Sequence, residues 1–283
     1  DKNPSAFANG SVKTTPGFKE AFKQYGEGGW QGLQHPPEYG GQGLPKTIGA
    51  ACGEMLNAAN LSFALCPLLT DGAIEALITA ASDDLKDRYL GKLISGEWTG
   101  TMNLTEPQAG SDLALVRTKA TPQADGTYRI AGTKIYITYG EHDMAENIVH
   151  LVLARVVGAP EGVKGISLFV VDRTAAGVEV ERTDMTDSRN YANISFSNVE
   201  VAETALLGEE GKGFKALSGT LDAGNVYLAA EMLGICQESF DRTLQYLKER
   251  KQFGVLIGSF QSLQHRAADW WSQVELCKSV VLK

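Results

Sequence analysis

Hydrophobic and polar positions change their period twice along the chain. Up to residue 98 the apolar positions recur at helical spacing. The helices predicted there cover residues 16–25, 44–60, 61–69, 71–81 and 82–94. From residue 99 the positions alternate or form short β-branched runs between turn residues. The strands predicted there cover residues 128–137, 148–157, 165–172, 178–182 and 192–201.

Helical spacing returns after the glycine-rich connector at residues 208–213, over residues 214–251 and 261–283. The pattern therefore predicts an α+β protein with three domains. We expect an α-helical N-terminal domain at 1–98, a middle antiparallel β domain at 99–205 and an incomplete α-helical C-terminal domain at 206–283. The last helical pattern reaches Lys283 without a stop signal, so we expect a piece of a longer polypeptide or a product trimmed at both ends.

Composition narrows the classes of function. The net charge of −8 and the pI of about 5.1 disfavour nucleic acid or an anionic membrane surface as the partner. We expect no membrane span, because no run of 18 uninterrupted apolar residues is present. The four cysteines have no metal-ligand spacing, so we predict reduced, buried thiols, no metal site and a cytoplasmic protein.

The segment over residues 102–112, Met-Asn-Leu-Thr-Glu-Pro-Gln-Ala-Gly-Ser-Asp, lies where the helical pattern changes to the β pattern. Glycine, small residues and hydroxyl groups at this density can bring backbone N–H groups close to a flat or anionic ligand. A simple turn between two elements fits the same spacing. From the residues alone, both interpretations remain open.

Four motifs, in this order, resemble the acyl-CoA dehydrogenase family of flavoproteins over nearly the whole chain. They are Pro-Glu-Tyr-Gly-Gly-Gln-Gly at 37–43, Leu-Thr-Glu-Pro-Gln-Ala-Gly-Ser-Asp at 104–112, Gly-Thr-Lys-Ile-Tyr-Ile-Thr-Tyr-Gly at 132–140, and Glu-Arg-Lys-Gln-Phe-Gly at 249–254 followed by Phe-Gln at 260–261. Residues up to about 171 look like the long bacterial subfamily that includes methylthiopropionyl-CoA dehydrogenases. Later residues, such as Asp-Ser-Arg-Asn at 187–190, look like short- or medium-chain members.

The resemblance implies FAD between the β domain and the first helices of a C-terminal four-helix bundle. By position, the backbone of Leu104 and Thr105 and the Thr105 hydroxyl would meet the pyrimidine side of the isoalloxazine ring. Gly110 and Ser111 would lie along the cofactor and the acyl thioester.

The same resemblance implies further cofactor contacts. Tyr136 stands where the family has an aromatic residue beside the flavin, and Thr138 would hydrogen-bond near flavin N5. Arg250, Phe253 and Gln261 match positions that bind the pyrophosphate and adenosine part of FAD, usually from a neighbouring subunit. The guanidinium fork of arginine suits phosphate oxygens.

The reaction that the resemblance implies is α,β-dehydrogenation of an acyl-CoA thioester to a trans-2-enoyl-CoA. Electrons would pass to an electron-transferring flavoprotein, and the assembly would be a homodimer or homotetramer. The catalytic base is not identified, and we expect it C-terminal to Lys283. Gly224 occupies the alternative base position, Asp222 lies two residues away, and Asn225 replaces a usual arginine.

Three alternatives remain open at this stage. An acyl-CoA oxidase or a flavin monooxygenase could use the same scaffold with oxygen as the acceptor. A non-catalytic flavin-binding or partner subunit would explain Gly224 and Asn225. A structural protein without a cofactor is the third alternative.

Overall fold

The computed structural model describes residues 3–8, 11–183 and 190–281. Contacts divide the chain into two compact units, Asp1–Ala216 and Leu217–Lys283. The helices are α1 Phe18–Glu27, α2 Lys46–Ala80, α3 Asp83–Ile94, α4 Gly213–Glu249 and α5 Gln261–Val281. The strands are β1 Ala6–Ala8, β2 Ser11–Lys13, β3 Thr99–Asn103, β4 Lys119–Pro122, β5 Tyr128–Thr138, β6 Ile148–Val156, β7 Ile166–Asp172, β8 Val178–Thr183, β9 Tyr191–Val201, β10 Leu206–Leu207, β11 Lys251–Gln252 and β12 Val255–Leu256.

The predicted fold class, α+β, is confirmed, because a helical N-terminal region is followed by a sheet and then by helices. Each strand predicted from alternation is present within two residues of its expected ends. Strands β3 and β4 were not predicted, because they are short and contain threonine, glycine, asparagine and proline instead of a clear alternating pattern. The Asp-Ser-Arg-Asn segment that resembled short-chain members has residues 187–189 outside the described part of the chain.

Helix α2 bends at Asn60, where two predicted helices meet. Asn60 has non-helical dihedral angles (φ −160°, ψ 95°), and its Oδ1 accepts a hydrogen bond from the Phe63 N–H at 3.0 Å. The asparagine therefore caps the second half of the helix. By length and composition alone α2 could cross a membrane, although its second half buries Ala73 and Leu77 in the core as core helices do.

The first core lies between the N-terminal helices and one face of the sheet. Buried side chains of α2 and α3 pack there against those of β6 and β7. Helix α3 begins at the predicted cap, where Ser82 Oγ accepts from the Leu85 N–H. At Gly100 of β3 an added Cβ would lie 2.4 Å from the Ala73 Cβ, so the close approach of α2 to β3 requires glycine.

The large sheet is mixed, with strand order β10-β7-β6-β4-β5-β9-β8. Most pairs are antiparallel as predicted, but β3 and β4 each pair parallel with β6. The other face of β6 and β7 packs with β5 and β9 to form the second core. A third cluster joins α1 and α2 to the loop after β5 through Phe22, Phe63 and Tyr139.

The unit Leu217–Lys283 contains most of α4, the β11–β12 hairpin and α5. Among its described side chains, Phe240 and Val274 are buried, and Phe240 contacts Trp270 edge to face at 5.6 Å. Many other apolar side chains on these helices are exposed, namely Leu228, Met232, Ile235, Tyr246, Trp271, Leu276 and Val280.

Candidate functional site

The motif loop, residues 104–118, leaves the sheet and returns to the same edge of β6. Asn103 at the end of β3 pairs with Val152, and Lys119 at the start of β4 pairs with Arg155. The two strands thus follow one another along β6, and the motif residues form an excursion between them. The motif loop is therefore held at both ends by a buried central strand.

Glu106 fixes the motif loop from inside. Its carboxylate accepts hydrogen bonds from Lys134 Nζ at 2.8 Å, Arg117 N at 2.7 Å and Thr118 N at 3.0 Å. The Gln108 amide also donates to it, at 2.6 Å. Burial alone would raise the pKa of Glu106, but the hydrogen bond and positive charge of Lys134 lower this pKa to about 2. Glu106 is therefore an ionised structural anchor and not a group that exchanges protons near neutral pH.

Lys134 is the buried partner of Glu106, and sequence analysis assigned neither residue a role. The Lys134 side chain is 0% exposed and the Glu106 side chain is 3% exposed. Burial lowers the pKa of Lys134, and the Glu106 carboxylate opposes that shift. The burial of Lys134 could have been predicted from the alternation along β5. Alternate residues of a strand face the same side, and Lys134 follows the buried Tyr128 and Ile130 at even-numbered positions.

Residues 104–106 bind β5 through their acceptor groups. The Leu104 carbonyl accepts from Lys134 Nζ at 3.2 Å, and the Thr105 carbonyl accepts from the Ile135 N–H at 2.9 Å. The N–H groups of Leu104 and Thr105 and the Thr105 hydroxyl make no hydrogen bond to the described part of the chain. The loop therefore uses the carbonyl acceptors of Leu104 and Thr105 internally and leaves three donor groups that a ligand could bind.

The opposite side of this site is an irregular stretch of β5. Between Lys134 and Ile137 the register with β9 shifts, so Ile135 and Tyr136 together oppose Asn193. Tyr136 has a positive φ of 55°, and its N–H donates to Asn193 Oδ1 at 3.3 Å. Such a bulge redirects side chains, and the Tyr136 ring is 49% exposed.

Thr138 is held by β3 through its backbone. The Thr101 hydroxyl donates to the Thr138 carbonyl at 2.7 Å, and no described residue bonds the Thr138 hydroxyl. Thr101 belongs to a buried polar face of β3 that also contains Thr99 and Asn103. Sequence analysis missed this face because β3 itself was not predicted.

Two histidines bind the same face of β3. His142 Nδ1 accepts from the Met144 N–H at 3.1 Å, so Nε2 carries the proton and donates to Thr99 Oγ1 at 2.9 Å. The Asn103 amide nitrogen lies 3.0 Å from His150 Nδ1. Burial lowers the pKa of each imidazole to about 3, with a smaller contribution from the Arg173 charge. Both rings are thus neutral near pH 7 and pack against β3.

Gly110 and Ser111 lie on the exposed part of the motif loop. An added Cβ at Gly110 would meet only Thr105 Cγ2, at 3.7 Å, an ordinary contact. The packing of the chain itself therefore does not require glycine here, and the open space beside Thr105 can receive a ligand. Asp112 ends this part of the loop by accepting from the Ala114 N–H at 2.9 Å.

Arg155 attaches the end of the motif loop to the turn between β6 and β7. Its guanidinium donates to the carbonyls of Ala114 at 2.9 Å and Val116 at 3.4 Å on the loop side. It also donates to the carbonyls of Pro160 and Gly162, both at 2.8 Å, on the turn side. Sequence analysis assigned Arg155 no role, since these partners come together only in the folded chain.

The structure thus brings together, around one surface of the first unit, residues up to 34 positions apart in sequence, namely Leu104, Thr105, Gly110, Tyr136 and Thr138. Each of these residues was predicted to contact a cofactor, and their roles stay predictions. Ser111 is exposed next to Gly110.

Arg250, Phe253 and Gln261 lie in the second unit, around the β11–β12 hairpin. Phe253 and Gly254 form its turn with positive φ angles of 54° and 80°, and Phe253 is 89% exposed. The Arg250 carbonyl accepts from the Ile257 N–H at 2.9 Å, and Gln261 begins α5. The Arg250 side chain forms no ion pair with the described residues, so its charge is available to an anion.

The comparisons with family models agree with the four motifs. The N-terminal, middle and C-terminal domain models of acyl-CoA dehydrogenase match residues 8–97, 101–199 and 211–283. The 3-methylmercaptopropionyl-CoA dehydrogenase of Ruegeria pomeroyi is 46% identical over 272 residues, which are 92% of this chain and 46% of that protein. The chain thus spans about half the length of that relative.

A second sequence relative and a solved structure are also similar to this chain. A probable acyl-CoA dehydrogenase of Bacillus subtilis is 34% identical, with 93% of this chain and 69% of that protein covered. The structure of an acyl-CoA dehydrogenase complexed with FAD from Bacillus anthracis matches with a TM-score of 0.76 and 28% identity, over 93% of this chain and 44% of that one. Motifs, domain models and relatives confirm the resemblance, and the chain belongs to the acyl-CoA dehydrogenase family.

Proposed function

We propose that this chain binds FAD and takes part in the α,β-dehydrogenation of an acyl-CoA thioester. The product is a trans-2-enoyl-CoA, and the electrons pass to an electron-transferring flavoprotein. The proposal rests on family membership and on one structural observation. In the motif loop the Leu104 and Thr105 carbonyls are bound internally, while the N–H groups of Leu104 and Thr105 have no hydrogen-bond partner among the described residues.

The residues of the site fit the acceptor-rich edge of a flavin ring. Leu104 N–H, Thr105 N–H and the Thr105 hydroxyl would donate to it, while the open space at Gly110 admits a flat ring. Tyr136 would cover part of the ring and exclude water. Thr138, held through its carbonyl by Thr101, would place its unbonded hydroxyl beside the reacting edge. Bound FAD supplies the acceptor for the hydride that leaves the β-carbon.

Arg250, Phe253 and Gln261 are proposed to bind the pyrophosphate and adenosine part of FAD. The support is the exposure of Phe253 and the unpaired charge of Arg250 among the described residues. Arginine pairs two N–H groups with phosphate oxygens in a fixed geometry. We propose that these residues serve a neighbouring subunit in a homodimer or homotetramer.

The catalytic base is not assigned within residues 1–283. The side-chain environments of Asp222 and Gly224 lie outside the described part of the structure. Asn225 is exposed. Gly224 has no carboxylate, so the proposal places the base C-terminal to Lys283. That group must take the α-proton while donors at the thioester carbonyl stabilise the developing negative charge.

The proposal keeps the domain division 1–98, 99–205 and 206–283. It also keeps a cytoplasmic location without a membrane span. All four cysteines are free, which suits a reducing compartment. The expectation of buried thiols is correct for Cys66 alone, because Cys52 is half-buried and Cys236 and Cys277 are exposed.

A flavin titration of the purified full-length protein tests the first half of the proposal. We expect saturable FAD binding, with a Kd about tenfold higher for Thr105→Val, equivalent to about 1.4 kcal/mol. Thr121→Val on the exposed side of β4 is the matched control and should bind like the wild type. Absence of saturable binding would overturn the proposal.

Anaerobic addition of acyl-CoA to the loaded protein tests the second half. Bleaching of the flavin that persists until an electron-transferring flavoprotein is added supports a dehydrogenase. Rapid reoxidation on admission of air would instead identify an oxidase or a monooxygenase. Failure of every acyl-CoA to bleach a bound flavin would identify a non-catalytic subunit.

A further inference from the structure

We infer that Lys134 is a positioning residue for the proposed flavin site, and that it acts by holding the two residues on either side of Thr105. Its ammonium donates to the Leu104 carbonyl at 3.2 Å and to the Glu106 carboxylate at 2.8 Å. The next residue, Ile135, donates its N–H to the Thr105 carbonyl at 2.9 Å. Three successive residues of the motif loop are thereby fixed to two successive residues of β5. This inference rests on the proposed function.

The energetics favour a conformational role over a stabilising one. Removing an ammonium and a carboxylate from water costs several kcal/mol for each ion, and a well-packed apolar pair often gives equal or higher stability. An apolar side chain at position 134 could fill the same volume. It could not hold the Leu104 carbonyl, which must turn inward if the Thr105 N–H of the same trans peptide is to face a ligand.

Glu106 makes two kinds of contact, one to Lys134 on β5 and one to N–H groups within the motif loop itself. Arg117 N and Thr118 N bind the same carboxylate, so the loop stays closed on itself without Lys134. Loss of the ammonium therefore uncouples the loop from β5 and leaves its internal contacts in place. The side chain that faces the ligand in this arrangement is Thr105, and Lys134 acts through it.

The test compares Lys134→Met and the double variant Lys134→Met/Glu106→Gln with the wild type, in the full-length protein. The double variant also removes the carboxylate that Lys134→Met leaves unpaired, and the amide oxygen introduced at position 106 can still accept from one of the two loop N–H groups. The matched control is Lys92→Met, which removes the ammonium of an equally short but exposed ion pair with Glu97 (2.7 Å). The measurements are the FAD Kd, the visible spectrum of bound flavin, and amide hydrogen exchange at Ile135 in the FAD-free protein.

Positioning by Lys134 predicts about a tenfold rise in FAD Kd for the folded double variant, or about 1.4 kcal/mol. It also predicts a shifted flavin spectrum and faster exchange of the Ile135 amide, while Lys92→Met behaves as the wild type. A double variant that binds FAD with wild-type affinity, spectrum and Ile135 protection would overturn the inference and leave the proposed function intact. A wild type that binds no FAD would overturn both.

Discussion

At the scale of single residues, four buried polar groups of the first unit hold the motif loop and the strand β3 that precedes it. Glu106, Lys134, His142 and His150 are each buried to 4% exposure or less, and each has a defined partner. A buried polar group is costly when its partner is lost. The stability of the protein is therefore expected to respond strongly to changes at these positions and to pH.

Replacing Glu106 by glutamine should lower the free energy of unfolding by about 3–5 kcal/mol, because it leaves the Lys134 ammonium buried without a counter-charge. Urea unfolding at neutral pH measures the change. The control is Glu97→Gln, which breaks an exposed ion pair with Lys92 and should cost about 1 kcal/mol or less. Equal losses for the two variants would contradict the buried ion pair.

Lowering the pH should destabilise the fold at pH values well above the pKa range of ordinary carboxylates. The folded state keeps His142 and His150 neutral down to a pKa of about 3, whereas in the unfolded chain they take up a proton near pH 6.5. The unfolded state thus binds more protons between these values, and stability falls as the pH is lowered from about 6.5. At pH 5 the expected loss is about 2 kcal/mol for each histidine.

Urea unfolding at pH 7 and pH 5 measures this loss. The variant His142→Gln/His150→Gln should be less stable than the wild type at pH 7. Its free energies of unfolding at pH 7 and pH 5 should differ much less than those of the wild type. An unchanged difference in that variant would assign the acid sensitivity to other groups.

At the scale of elements, the site depends on how β3, β4 and β5 are arranged around β6. The motif loop interrupts the edge of β6 between two short parallel strands, and the bulge in β5 exposes Tyr136 opposite the loop. Arg155 attaches the end of the loop to the neighbouring turn. The loop is thus a rigid element supported by a strand, a turn and a buried ion pair.

Gly110→Ala separates a ligand-binding loop from a simple turn, the two interpretations left open by the sequence. The added methyl group meets only an ordinary contact with Thr105 Cγ2, so unfolding of the FAD-free protein should change by about 0.5 kcal/mol or less. FAD should bind more weakly, because the methyl group enters the space proposed for the ring. Wild-type FAD affinity in this variant would favour the simple turn.

Arg155→Lys tests the attachment of the loop end. Lysine keeps the charge but cannot reach the Ala114 and Val116 carbonyls and the Pro160 and Gly162 carbonyls together. We expect a loss of about 2 kcal/mol in unfolding free energy from unpaired carbonyl groups. Urea unfolding measures it, and a stability equal to wild type would contradict this role of the guanidinium.

At the scale of the whole molecule, the two units differ in how much apolar surface they bury. The unit Asp1–Ala216 has three buried clusters, whereas the helices of the second unit expose Trp271, Leu276 and Val280. Leu276 and Val280 lie one helical turn apart on α5, and neighbouring exposed apolar side chains are typical of an interaction surface.

We therefore expect the 283-residue chain to self-associate at micromolar concentration. Leu276→Lys/Val280→Lys should reduce the sedimentation coefficient toward that of a monomer. The control is Lys278→Glu, which changes a charged side chain between Leu276 and Val280 and removes no apolar surface. It should have little effect on the sedimentation coefficient. A monomeric wild-type chain would contradict this expectation.

The sequence by itself determined the α+β order of elements, five strands of the sheet, the Ser82 helix cap and membership of the acyl-CoA dehydrogenase family. These follow from local periodicity, capping chemistry and contiguous motifs, which need no knowledge of distant contacts. Only the tertiary structure decided that β3 and β4 share one edge of β6, that Lys134 and Glu106 form a buried ion pair, and that Arg155 binds the loop end. These partners lie 28 to 49 residues apart, and no local pattern specifies which strand, buried charge or carbonyl will meet which. The donor-lined surface of the motif loop is a product of those long-range contacts, because they alone determine which way the Thr105 peptide faces.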